Sequence, residues 1–209
     1  MSLRFLRALL MALELHLGAA SLPPDLGAYT VATCNGTAYE LDAAAEAVHW
    51  LSQLSGRNVT SSTSCGAGAE PPILAVGPGA AHALCALPLS QLSGLGLEGL
   101  LLGSSSGGGC AFASGGVAAP RGTLYAVSEL LELLGVRFLH PEETLLPSNA
   151  TMPPSLAHRY VPRFEYRGYD DFLATEAPAW TQRARINSFG NWDPVEDPQF
   201  PHTICFILD

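Results

Sequence analysis

The sequence predicts an α/β fold, a mixed β-sheet covered by helices. Three observations carry that prediction. Short apolar runs of strand length alternate with stretches of helical periodicity. Turn chemistry falls between them, at Ser55-Gly56, Gly77-Pro78-Gly79, Gly135 and His140-Pro141. The apolar fraction is 48% of 209 residues against 14% charged, enough to fill a core and too high for a disordered chain. The length suits one domain and the beginning of another.

Taken in order, Tyr29 to Thr33 is a short β-leaning run. Glu40 to Leu54 has helical character, with Leu41, Ala45, Val48, Leu51 and Leu54 on one face. Ser61 to Glu70 reads as a polar loop. Ile73 to Val76 is an apolar strand, followed by an Ala-rich helix over Ala80 to Leu87. Gly99 to Leu102 and Cys110 to Ala113 form two strands around the low-complexity linker 103–109. The clearest helix opens at Pro120-Arg121-Gly122-Thr123 and carries Leu124, Val127, Leu130, Leu131 and Leu134 at 3- and 4-residue spacing. Gly135 stops it. Val136 to Leu139 is the next strand. Pro153, Pro154 and Pro162 mark a linker over 151–163, so an α/β domain is expected at 21–150 and a second unit at 164–209. Within that unit Phe164 to Tyr169 is strand-like, Ala179 to Ser188 helical, and the remainder loop.

The N-terminus reads as a secretory signal peptide over 1–20. Arg4 and Arg7 precede the apolar run Ala8 to Leu13, and small residues end it near Ala20. The sequons Asn35-Gly36-Thr37, Asn58-Val59-Thr60 and Asn149-Ala150-Thr151 fit the same route and make Asn35, Asn58 and Asn149 candidate glycosylation sites. A secreted or lumenal location is expected, with no membrane attachment after signal cleavage. Cys34, Cys65, Cys85, Cys110 and Cys205 then allow at most two disulfides, their pairing open, with one cysteine left over. No spacing suits a metal, so none is expected.

The formal charge is −9, from 10 basic and 19 acidic residues. That balance argues against nucleic acid and anionic membrane surfaces, which need clustered cations. Every basic residue is arginine, so neither a Schiff-base lysine nor a P-loop lysine is available. Six of the arginines lie between Arg137 and Arg185. Ile73 to His82 imitates a dinucleotide fingerprint, strand then Gly-x-Gly then helix. However, Pro78 removes a backbone donor, His82 replaces the third small residue, and Glu98 comes too early for the ribose. An ordinary strand-to-helix turn is the simpler reading, and no cofactor is expected. The adjacent pairs Asp170-Asp171 and Glu142-Glu143 point to opposite faces of an extended chain and cannot flank one glycosidic bond. No Gly-x-Ser-x-Gly occurs.

Residues Gly115 to Pro141, GGVAAPRGTLYAVSELLELLGVRFLHP, resemble the N-terminal accessory domain that precedes the catalytic barrel in family 67 α-glucuronidases. The β-hexosaminidases carry a similar domain. Pro162 to Asp170, PRFEYRGYD, resembles the lead into the first barrel strand. Trp180 to Asn187 resembles the first barrel helix, and Pro201-His202-Thr203 a His-Thr segment soon after it. The match is specific over Ala113 to Asn187 and looser over Glu40 to Gly77.

The resemblance implies a truncated start of a (β/α)8 barrel after the α/β domain, since a whole barrel needs about 250 residues. The catalytic carboxylates of such enzymes lie on later strands. The chain alone is therefore expected to be inactive, a non-catalytic domain of a hydrolase acting on uronic-acid- or hexosamine-containing polysaccharide. By matching position, Arg167, Asp170 and Asp171 fall at the carboxyl end of the first barrel strand, where substrate is bound. Arg167 would pair bidentately with a uronate carboxylate, Trp192 would stack on a sugar face, and His202 would line the same cleft. The competing and commoner role for each is an intradomain salt bridge or a core aromatic. Carbohydrate is the expected partner, reached through the barrel. The alternative is an extracellular carbohydrate-binding module without hydrolase activity, and a nucleotide-binding protein is a third reading.

Overall fold

A computed structural model describes residues 25–65, 70–105, 109–118, 121–164, 167–169, 178–185, 188–191 and 203–206. The expected signal segment 1–20 lies outside them. After a 3-10 turn at Leu26–Ala28, strand β1 (Thr30–Ala32) enters helix α1 (Ala38–Ser55) through a capping box. Glu40 N donates to Thr37 Oγ1 at 3.4 Å, and Thr37 N donates to Glu40 Oε2 at 2.6 Å. Two otherwise unpaired amides at the helix start are satisfied in this way. Gly56, left-handed at φ 67°, ends the helix. The buried face is Ala43, Ala44, Ala47, Trp50 and Leu51. Of the expected stripe, Leu51 is buried and Val48 and Leu54 pack against the core, while Leu41 and Ala45 are exposed. Alanines win the inner face because they let the helix axis approach the sheet.

Strand β2 (Thr60–Ser62) runs parallel to β1, inside what the sequence suggested was loop. Strand β3 (Ile73–Val76) is wholly buried and leads into α2 (Pro78–Cys85). Strands β4 (Leu100–Ser104) and β5 (Cys110–Gly115) form the expected antiparallel pair. Helix α3 (Arg121–Leu133) follows, then β6 (Arg137–His140), β7 (Glu143–Leu145) and β8 (Ala157–Tyr160).

Six strands make one mixed sheet in the order β2-β1-β3-β5-β4-β8. The sheet is parallel through β2, β1, β3 and β5; β4 runs antiparallel to β5, and β8 antiparallel to β4. Helices α1 and α3 cover one face, meeting Leu74, Val76, Leu100 and Leu102. Helix α2 and the 3-10 turn Leu89–Leu92 cover the other, meeting Ile73, Ala75 and Phe112. Alternation along β3 thus feeds both cores, which is why that strand carries no polar residue.

Two expectations about the main sheet change. The span 151–163 is not only a linker, because β8 within it is the sheet's terminal strand, paired with β4 from Gly103↔Ala157 to Leu100↔Tyr160. The strand after α3 does not join the sheet either; β6 pairs with β7 in a separate hairpin.

Beyond it, β9 (Gly168–Tyr169), α4 (Pro178–Arg183) and β10 (Ser188–Asn191) come in order, with β9 and β10 parallel. Strand β11 (Thr203–Phe206) pairs antiparallel with β10. The helix is shorter than expected because Arg185 turns left-handed at φ 57°. Two strands lie within the expected terminal loop. Cys34 pairs with Cys65 and Cys85 with Cys110, and Cys205 lies on β11.

Helix α3 presses closely against the sheet end at Gly122. A Cβ there would lie 2.2 Å from the Gly99 carbonyl oxygen and 3.0 Å from Gly115 Cα, backbone atoms that cannot swing aside. Gly122→Ala is expected to destabilise the fold by roughly 2–3 kcal/mol in urea unfolding. Gly109→Ala, whose nearest neighbour would be 3.7 Å away, should change stability by no more than about 0.5 kcal/mol.

Candidate functional site

In an open α/β sheet, ligands gather at the carboxyl ends of the parallel strands, where successive crossovers leave on opposite faces. Here that point lies between β1, which leads to α1, and β3, which leads to α2. It is already occupied. Gly77 sits at the mouth of α2 with φ 93°, and a Cβ there would fall 2.4 Å from Glu40 Oε1. Gly77 N–H is spent on the Ala113 carbonyl at 2.9 Å, and Pro78 has no N–H. A carboxylate therefore stands where a pyrophosphate would dock, which opposes the nucleotide reading. The Cys34–Cys65 bridge closes the same edge beside it.

The charged groups gather further along that edge. Glu98 stands in the turn before β4 and is only 8% exposed. Its Oε1 accepts from Arg121 Nη1 at 3.0 Å and from the Tyr125 hydroxyl at 3.5 Å, while its Oε2 accepts from Arg167 Nη2. Arg167 also donates through Nε to the Arg185 carbonyl and through Nη1 to the Phe164 carbonyl, both at 2.9 Å. Its guanidinium lies 5.8 Å from the Tyr125 ring centre. Burial raises the Tyr125 phenol to about 12, helped by the neighbouring Glu98 charge. Arg121 is held protonated by its hydrogen bonds to Glu98 and Tyr39, which outweigh desolvation.

Two further clusters repeat this chemistry. Arg183 of α4 forks onto Glu46 of α1, Nε to Oε2 at 3.1 Å and Nη2 to Oε1 at 2.8 Å. Its guanidinium lies 5.3 Å from the Trp50 ring centre and 5.1 Å from that of Phe138, while Trp50 Nε1 donates to the same Glu46 at 2.9 Å. Arg185 reaches Glu129, and Glu132 at 3.2 Å, both on α3. His158 of β8 approaches Glu129 from the other side at 3.4 Å. Bidentate geometry and flanking rings are what favour Arg over Lys at such sites.

Of the expected substrate-binding residues, only Arg167 lies among the described ones. It precedes β9 rather than ending it, and its fork is engaged by Glu98, so a uronate carboxylate would have to displace that partner. Asp170, Asp171, Trp192 and His202 lie outside the described residues. Asn35, Asn58 and Asn149 are all exposed. A groove of about 480 Å³ opens between the end of α2 and strands β4 and β8, with Phe112 and Leu87 among its apolar walls and His158 and Arg159 at its charged side. Among the described residues, no group of three or more His, Cys, Asp or Glu is placed to hold a metal. No described helix is long and apolar enough to cross a membrane.

The sequence offers Glu98 only as a ribose ligand, and no motif marks Glu46, Glu129 or Glu132. One signal was present: Glu98 is the only charge between Glu70 and Arg121. A lone carboxylate in so apolar a stretch implies a buried partner.

Tyr125 gives this site a spectroscopic handle. With a folded value near 12 against an ordinary 10.0, the neutral phenol is the form the fold favours. Its contribution to stability is thus complete below pH 10 and is lost as pH climbs through about 12. Absorbance titration of the tyrosinates should show this phenol ionising after the ordinary ones. In Glu98→Gln it should titrate earlier, because the carboxylate's repulsion of the phenolate is gone, yet still above 10, because burial remains. Unchanged titration in that variant would show that the Tyr125 phenol does not sense the Glu98 charge.

Compared with known proteins, the chain matches no family model, and no curated protein is significantly similar to it.

Proposed function

We propose that this chain is the accessory domain and first strand–helix–strand unit of a secreted glycoside hydrolase of the α-glucuronidase type. In this reading the α/β domain does no chemistry; it carries and orients the barrel that handles uronic-acid- or hexosamine-containing polysaccharide. The observation that supports it best is the unit β9–α4–β10, parallel strands in order with a helix between them, seated on α1 and α3. Arg183 and Arg185 fix it to Glu46, Glu129 and Glu132, and Arg167 fixes its leading edge to Glu98. Parallel strands joined through a helix are how a (β/α)8 barrel begins. The two disulfides and the exposed Asn35, Asn58 and Asn149 are compatible with a secretory route.

In this reading Arg167 is a docking residue, and carbohydrate contacts belong to Asp170, Asp171, Trp192 and His202 together with the rest of a barrel. The test is to offer the purified mature chain aldouronic acids and aryl hexosaminides, and in parallel a glycan array. No turnover and no array binding are expected. Turnover that disappears in Asp170→Ala would overturn the non-catalytic assignment. Array binding that disappears in Trp180→Ala or Trp192→Ala would make the chain a carbohydrate-binding module instead.

A further inference from the structure

The three sequons are not equivalent once the chain has folded. In the first, Thr37 is the N-cap of α1, and its hydroxyl donates to Glu40 Oε2 at 2.9 Å while accepting from Glu40 N. The middle residue, Gly36, lies so close that a Cβ would meet Glu40 Cβ at 2.9 Å. Asn35 N donates to the Thr63 carbonyl, and the preceding Cys34 is bridged to Cys65. In the second, Val59 is buried and its N–H donates to Ser52 Oγ at 3.0 Å. Thr60 lies in β2 with its hydroxyl 3.3 Å from that of Thr30. The third differs. Asn149 and Thr151 are exposed on one side of an irregular segment whose alternate residues, Ala150 and Met152, face the core. Neither side chain makes a hydrogen bond to another described residue.

Transfer to a sequon needs both groups at once. The Asn amide nitrogen loses a proton and bonds the anomeric carbon of a lipid-pyrophosphate-linked oligosaccharide. The C1–O bond breaks, and the lipid pyrophosphate leaves with its electron pair. The Thr hydroxyl two residues on must turn to the enzyme meanwhile. We infer that Asn35 and Asn58 are glycosylated only before α1 and β2 fold, whereas Asn149 is an acceptor in the folded protein. Thr37 cannot serve the transferase and the capping box together. Folding, and closure of Cys34–Cys65 beside it, therefore competes with modification of Asn35. This ordering matters in the cell only if the secretory reading above holds.

The test uses the full chain with purified oligosaccharyl transferase and lipid-linked oligosaccharide, and maps occupancy by peptide mass spectrometry. Two forms are compared, one reduced and alkylated so that it cannot fold, the other folded and oxidised. All three asparagines should be occupied in the first form. In the second, Asn149 should keep its occupancy, while Asn35 and Asn58 fall by at least roughly tenfold, the scale of opening one capped helix turn. Equal occupancy of Asn35 in both forms, or loss of Asn149 on folding, overturns the inference. The secretory reading fails separately, if cells expressing the chain retain it inside and unglycosylated at all three sites.

Discussion

A single carboxylate holds three pieces of this protein in register. Glu98 comes from the turn before β4, Arg121 opens α3, and Arg167 leads into β9, and the three meet where the sheet ends. Taking a carboxylate out of water is costly, and one guanidinium rarely offsets it in full. Two guanidiniums and a phenol satisfy the oxygens here. Such a group adds little net stability over an apolar replacement, but losing one partner strands a charge. Its value is therefore in specifying one arrangement. Gly122 lets this happen, because only a residue without Cβ allows α3 to press against Gly99 and Gly115.

The distribution of charge follows from the same contact. An acidic chain with all its cations as arginine has placed three of them, Arg167, Arg183 and Arg185, against four glutamates of the α/β domain. At exposed sites such pairs contribute little. Here each guanidinium is mostly covered, and Arg183 is also flanked by Trp50 and Phe138, whose rings exclude water and favour a planar cation.

Much of the α/β layer was legible in the sequence because its signals are local. The Leu124 to Leu134 periodicity, the Ile73 to Val76 run, and the β4–β5 pair each declare themselves within a dozen residues. What escaped is non-local. β8 reads as linker because Ala157-His-Arg-Tyr160 has no apolar alternation; it is an edge strand wetted on both faces, and only its pairing with β4 makes it a strand. The buried face of α1 is legible only in part: Leu51 belongs to it, but in the pattern the larger Leu41 outweighs the small Ala43, Ala44 and Ala47. The site was legible in part: Arg167 stood out, but its partner lies 69 residues earlier and has no motif around it. Helix α4 is shorter than its sequence suggests, because nothing in Gln182 to Ser188 announces a left-handed Arg185.

If the Glu98 contact is what seats the second unit on the first, its strength should belong to the pair. A double-mutant cycle with Glu98→Gln, Arg167→Gln and the double variant, followed by urea unfolding, reads this directly. A coupling of about 1–3 kcal/mol between the two positions is predicted, because each single change takes one charged partner from a mostly buried ion pair and the double change removes both. Additive effects, with coupling near zero, would contradict it and leave the docked unit held by the Arg183 and Arg185 ion pairs and by packing.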